Sequence, residues 1–176
     1  LCSHEQVESI HITGSLRTHD AIVWGPTSEE QERRKKEGTP ANSRPITSEL
    51  GCVDPILVVP GPWSDAQLDY HARQIVSMAT HNAGFNCNAG NVVVLPGGWD
   101  RCDALVERVV HHLGRKPCRK AYYPGAESRQ SSFLDHYSGS MRIGEPSAGG
   151  LPWGLLPDVP AEKGEYALTE EPFCGV

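Results

Sequence analysis

No Cys-x-x-Cys pair occurs in this chain, although it has six cysteines, at positions 2, 52, 87, 102, 118 and 174. The absence removes the ligand spacing of zinc ribbons and the redox pair of thioredoxin-type folds. No Gly-x-Gly-x-x-Gly occurs either, so the common dinucleotide fingerprint is missing. Positive charge is in short supply. Sixteen Lys and Arg against 22 Asp and Glu leave a net charge of −6, which argues against a nucleic-acid partner. No apolar run approaches the roughly 18 residues of a membrane span, and no basic-then-apolar leader opens the sequence. The thiols therefore read as reduced and the compartment as cytoplasmic. The eight histidines are scattered and suggest no metal site; the adjacent His111 and His112 suit the cationic end of a helix.

What the chain does have is a small-residue loop around one thiol. Residues 82–90 read NAGFNCNAG, with Cys87 between two asparagines and Gly84 and Gly90 flanking. Small polar neighbours leave a sulfur approachable, and exposed backbone N–H groups can stabilise a thiolate or an oxyanion. Taken alone, a single cysteine is more often a small buried hydrophobe.

The remaining pattern is that of an α/β chain. VESIHI at 7–12 alternates like a strand, and Thr13-Gly14-Ser15 turns it into a helix over 17–24. A strand followed by Gly-Ser and a helix aims backbone N–H groups at phosphate. Residues 25–45 are the most polar, and EEQERRKKE at 29–37 suits a solvated helix with i,i+4 pairs. PILVVP and NVVVL read as strands buried on both faces. Ser64 and Gln67 form a capping box opening a helix over 65–82, and Asp100 is the expected cap of a helix to Leu113. RKAYYPG reads as extended, SSFLDHY as a short helix and 165–168 as a short strand, while residues 138–164 carry too many Gly and Pro to assign.

Three stretches occur in a telling order: PITSELGCV with Glu49, the Cys87 loop, and TEEPFCGV with Glu170, Glu171 and Phe173. Together with HITGS at 11–15 they resemble the aldehyde dehydrogenase superfamily along essentially the whole chain. The resemblance implies the end of a Rossmann-type cofactor domain, at 1–48 with a polar insertion, followed by most of an α/β catalytic domain at 49–176. It implies a fragment that is inactive alone. The family's oxyanion asparagine and ribose lysine would lie upstream, and its subunit contacts downstream.

The same resemblance implies oxidation of a small aldehyde with NAD or NADP by a full-length homo-oligomer. Cys87 would be the nucleophile and Glu49 the general base. Gly14 and Ser15 would lie near the dinucleotide pyrophosphate, Glu171 at the nicotinamide ribose and Phe173 beside the ring. The chain departs from the family in three places. Phe85-Asn86 stand for Gly-Gln, Cys52 for the second glycine after Glu-Leu, and Cys174-Gly175 for Gly-Pro. Cys52 and Cys174 are expected to be buried packing residues. Two other classes stay open: an acyltransferase or hydrolase pairing Cys87 with a histidine such as His81, and a non-catalytic homologue.

Overall fold

A parallel strand pair organises the first part of the chain: β1, Ile10–Gly14, lies beside β2, Ile46–Leu50, with Ile10 opposite Ile46 and Thr13 opposite Glu49. The computed structural model describes residues 1–146 and 149–176, which form two units, Leu1–Gly51 and Cys52–Val176. In the first unit the strand begins at Ile10 rather than at residue 7. The Val7 carbonyl accepts from Arg44 Nε at 2.6 Å and that of His4 from Arg44 Nη2 at 3.0 Å. A side chain thus satisfies backbone that a strand partner would otherwise hold.

Ser15 caps α1, Leu16–Val23, its side chain accepting from the Thr18 N–H. The charged run forms α2, Ser28–Glu37, capped by Thr27 and stopped by Gly38 in the left-handed region. Arg34 pairs with Glu30 and Arg33 with Glu37 one turn away, as the spacing predicts. One of its lysines is more than a solvated charge, because Lys35 Nζ donates at 2.6 Å to the buried Asp20 of α1.

In the second unit β3, Asp54–Leu57, runs parallel to β4, Gly90–Val94. Between them lies α3, Asp65–Thr80, opened by the Ser64–Gln67 capping box. It packs on α4, Cys102–Gly114, around Val58, Leu68, Ala72, Ile75 and Leu105. The His112 ring adds a 2.6 Å contact to Asp69 across the same pair of helices, which holds that carboxyl below its usual range. Next come α5, Ala126–His136, the antiparallel pair β5, Met141–Ile143, and β6, Trp153–Leu155, and a short α6, Tyr166–Thr169.

Several expectations are corrected. β3 and β4 are not buried on both faces: among the described residues each has only the other as a strand partner, and with nothing packed over them Leu57 and Val59 are 69% and 72% exposed. Asp100 caps nothing; α4 begins after Arg101 without a side-chain cap. The 165–168 stretch is the helical turn α6, because the Glu165 carboxylate accepts from the Tyr166 N–H and the Tyr137 hydroxyl accepts from that of Ala167. The segment left unassigned, 138–164, contains β5 and β6, while its residues 147–148 lie outside the described residues.

Leu105 is 1% exposed at the centre of the α3–α4 contact. Leu105→Ala is expected to cost about 2–5 kcal/mol of stability in denaturant unfolding. A loss under about 1 kcal/mol would mean that this contact is not the core of the unit.

Candidate active site

The cysteine loop is built by a reversal at the end of α3. Thr80 Oγ donates to the Val76 carbonyl and closes the helix, after which a 3₁₀ turn covers His81–Gly84. Asn82, Ala83 and Gly84 are all left-handed, with φ of 50°, 59° and 78°. Asparagine tolerates that region, alanine does so only when its surroundings hold it there, and glycine does so freely. The flanking amides then tie the loop. Asn82 Nδ2 donates to the Phe85 carbonyl and to Asn86 Oδ1, and Asn86 Nδ2 lies 2.7 Å from His81 Nδ1. Cys87 follows with its side chain exposed. Its N–H meets no acceptor among the described residues. His81 is engaged by Asn86, and among the described residues it makes no hydrogen bond to Cys87.

Against this loop lies the end of the chain. A Cβ on Gly84 would sit 2.5 Å from the Cys174 carbonyl oxygen and 3.1 Å from the Gly175 nitrogen, so only glycine permits the approach. Phe85, Ala83, Ala126 and Cys174 form one buried cluster, with Phe173 packed on it and the Phe85 and Phe173 rings 5.8 Å apart edge to face. Burial pushes the Cys174 thiol up to about 11, leaving it a packing residue. Two adjacent side chains of α5 clamp the segment. Arg129 donates to the carbonyls of Pro172 at 3.1 Å and Phe173 at 3.3 Å, and Gln130 to those of Pro152 and Gly175. Phe173 itself is left-handed at φ 41°.

Glu171 lies half-buried between these groups, and its Oε1 is buried without a partner among the described residues. Burial raises its carboxyl above the usual range, partly offset by the Cys52 N–H and by the Arg129 guanidinium. Cys52 is exposed, which corrects its expected burial, because it stands at the open head of the β3–β4 pair. Its Sγ–H donates to the Cys87 carbonyl at 3.0 Å. Partial desolvation and the neighbouring Asp54 carboxylate push its thiol up.

In the first unit, Gly14, Ser15 and Glu49 gather at the carboxyl end of the parallel pair. Glu49 is exposed, and Gly14 pairs with its neighbour Leu50. The hydroxyl of Ser15 is occupied as the cap, while the Leu16 and Arg17 N–H groups find no acceptor among the described residues. The six expected site residues thus fall into two sets, each within its own unit: Gly14, Ser15 and Glu49, then Cys87, Glu171 and Phe173.

The aldehyde dehydrogenase family model matches residues 1–122 of the chain. The chain belongs to the aldehyde dehydrogenase family. Its fold matches that of a 1-pyrroline-5-carboxylate dehydrogenase from Thermus with bound NAD, at TM-score 0.74 and 20% identity over 100% of this chain and 34% of that one. An NADP-dependent glyceraldehyde-3-phosphate dehydrogenase from Bacillus halodurans C-125, complexed with NADP, matches at TM-score 0.71 and 22% identity, over 99% and 35%. An NAD-dependent aldehyde dehydrogenase from Sinorhizobium meliloti matches at 0.65 and 22%, over 100% and 34%. The chain therefore spans about a third of the length of the structures it resembles. No curated relative matches by sequence.

The α/β aldehyde dehydrogenase fold read from the motifs is the fold observed. Sequence reasoning missed Arg129 and Gln130, which belong to no motif, and misjudged Cys52. A signal for Cys52 was available: a thiol replaces a glycine of the Glu-Leu-Gly-Gly motif.

Gly84→Ala should force the cysteine loop off the 174–175 backbone and strain a left-handed position. We expect a cost on the order of 1–3 kcal/mol in denaturant unfolding, and an effect below about 0.5 kcal/mol would refute the close approach. Glu171 supplies a pH test. Because its folded pKa is raised, its contribution favours the fold below the unfolded pKa and is lost as pH rises through the folded value. The stability of wild type relative to Glu171→Gln should therefore decline as pH rises through and above the ordinary carboxylate range. A difference that stays flat with pH in unfolding experiments would contradict the burial of this carboxyl.

Proposed function

We propose that the protein carrying this chain oxidises an aldehyde to a carboxylic acid with NAD or NADP, through a covalent intermediate on Cys87. The observation that carries the reading is the Gly84 contact, which seats an exposed thiol loop against the Glu171–Phe173 segment in a chain of this family. In the same reading residues 1–48 complete a cofactor domain and residues 49–176 belong to the catalytic domain. The full-length protein is a cytoplasmic homo-oligomer.

Two observations favour a dinucleotide. Glu171 presents a buried carboxylate oxygen without a partner among the described residues, suited to a ribose hydroxyl. Leu16 and Arg17 present N–H groups without an acceptor among the described residues, at a helix start after Gly14 and Ser15, suited to a phosphate. Phe173 would pack beside the nicotinamide. When bound, the dinucleotide supplies the hydride acceptor that turns the thiohemiacetal into a thioester.

The chain's own groups account for the remaining steps. Cys87 Sγ, as the thiolate, adds to the aldehyde carbonyl carbon. The Cys87 N–H, which meets no acceptor among the described residues, donates to the oxygen that becomes the oxyanion. Glu49, carried over from the family motif, takes a proton from the water that attacks the thioester, and the acid departs as Cys87 is released.

These roles separate in the full-length protein. Cys87→Ser should abolish aldehyde-dependent cofactor reduction with little loss of stability. Glu49→Gln should slow deacylation, so that a burst of reduced cofactor survives while turnover falls. Glu171→Gln should weaken cofactor binding and slow hydride transfer, diminishing the burst itself. Rapid-mixing absorbance of the reduced cofactor distinguishes them, and equal loss of the burst in both glutamate variants would contradict the division.

A further inference from the structure

The head of the β3–β4 pair brings two thiols together. Asp54 is opposite Gly90 in the parallel register. Cys52 lies two residues before Asp54 and Cys87 three before Gly90, in the segments that lead into the pair. The Cys52 thiol already reaches the residue it faces, donating to the Cys87 carbonyl at 3.0 Å. Both side chains are exposed, whereas Cys118 and Cys174 are buried. The Asp54 carboxylate stands beside the Cys52 sulfur and favours its protonated form.

We propose that Cys52 is the resolving thiol for Cys87, and that the two form a reversible disulfide when the protein meets a hydroperoxide. The Cys87 thiolate attacks one peroxide oxygen; the S–O bond forms, the O–O bond breaks, and the leaving oxygen takes up a proton, as water when the oxidant is hydrogen peroxide. Cys87 is thereby oxidised by two electrons to the sulfenic acid and the peroxide is reduced. Cys52 releases its proton to water and attacks the sulfenic sulfur. The S–S bond forms, the S–O bond breaks, and the departing hydroxide collects that proton as a second water. With hydrogen peroxide, the sum is two thiols and one peroxide giving one disulfide and two waters. A dithiol reverses it by exchange. Cys52 thus protects the exposed Cys87 from irreversible oxidation to the sulfinic acid. The crosslink rests on the two thiols alone; its silencing of turnover rests on the nucleophile role proposed for Cys87.

The test uses the full-length reduced protein treated with hydrogen peroxide, capped with N-ethylmaleimide and digested by trypsin without reductant. Trypsin isolates Cys52 in peptide 37–73, since Arg44 precedes Pro45, and Cys87 in peptide 74–101, each without a second cysteine. The expected product is a single 37–73/74–101 crosslinked species that dithiothreitol separates, with activity falling and returning in step. Cys52→Ser should form no such species, carry Cys87 on to the sulfinic acid and lose the dithiothreitol-recoverable activity. Sulfinic Cys87 in wild type without the crosslink would overturn the proposal. So would full dithiothreitol recovery in Cys52→Ser. A crosslink in a protein that never turns over aldehyde would uphold the thiol pair and sink the proposed activity instead.

Discussion

Backbone touching backbone at Gly84 is the constraint on which the cysteine site depends. The loop that carries Cys87 and the segment that carries Glu171 are more than eighty residues apart in sequence, and they meet where a Cβ would fall 2.5 Å from a carbonyl oxygen. Nothing flexible lies on the far side of that contact, so a side chain at residue 84 could be admitted only by moving the chain. The contact joins the turn that precedes Cys87 to the residues that follow Phe173. It also explains why the neighbouring positions are filled as they are. Phe85 and Cys174 close the buried side of the junction, and the asparagines face the open side, where their amides hold the loop.

The three motifs and their order were legible because each needs particular residue types: a thiol among small residues, a carboxylate at a strand end, a Glu-Glu-x-Phe segment. So was the α3 helix, whose cap and apolar face both appear in the sequence. The parts that were not legible depend on partners distant in the chain. PILVVP reads as a strand covered on both sides, yet Leu57 and Val59 are exposed because no described element packs over them. Residues 165–168 have strand-like composition, but the carboxylate of Glu165 and the hydroxyl of Tyr137 satisfy the first N–H groups of a helical turn. Arg129 looks like any surface arginine in sequence; only its two carbonyl partners at Pro172 and Phe173 give it a place.

Three of the departures from the family pattern have a common physical character. Phe85, Cys174 and Gly175 share the junction below the cysteine loop. Gly175 is itself confined, since a Cβ there would lie 2.5 Å from the Trp153 ring. A larger residue at 85 and a thiol at 174 fill the same cluster, so neither substitution is independent of the other. Cys52 differs from these: it is exposed, and its neighbours are the polar groups Asp54, Glu171 and the Cys87 carbonyl.

Left-handed backbone at non-glycine residues is confined to Asn82, Ala83, Asp158 and Phe173 among the described residues. Three of those four lie in the two segments that meet at Gly84. Such conformations cost of order 1–3 kcal/mol each and persist only where surrounding contacts over-determine them. Here the surrounding contacts can be named: the Asn82 and Asn86 amides on the loop, and the Arg129 and Gln130 side chains on the terminal segment. Relaxing Phe173 would require breaking carbonyl contacts that Arg129 makes on both sides of the Pro172–Phe173 peptide bond. Relaxing Asn82 would unseat the amide that also holds Asn86. Strain and clamp are therefore matched in each segment, and the matched pair of segments is what seats the thiol loop on the end of the Glu-Glu-x-Phe stretch.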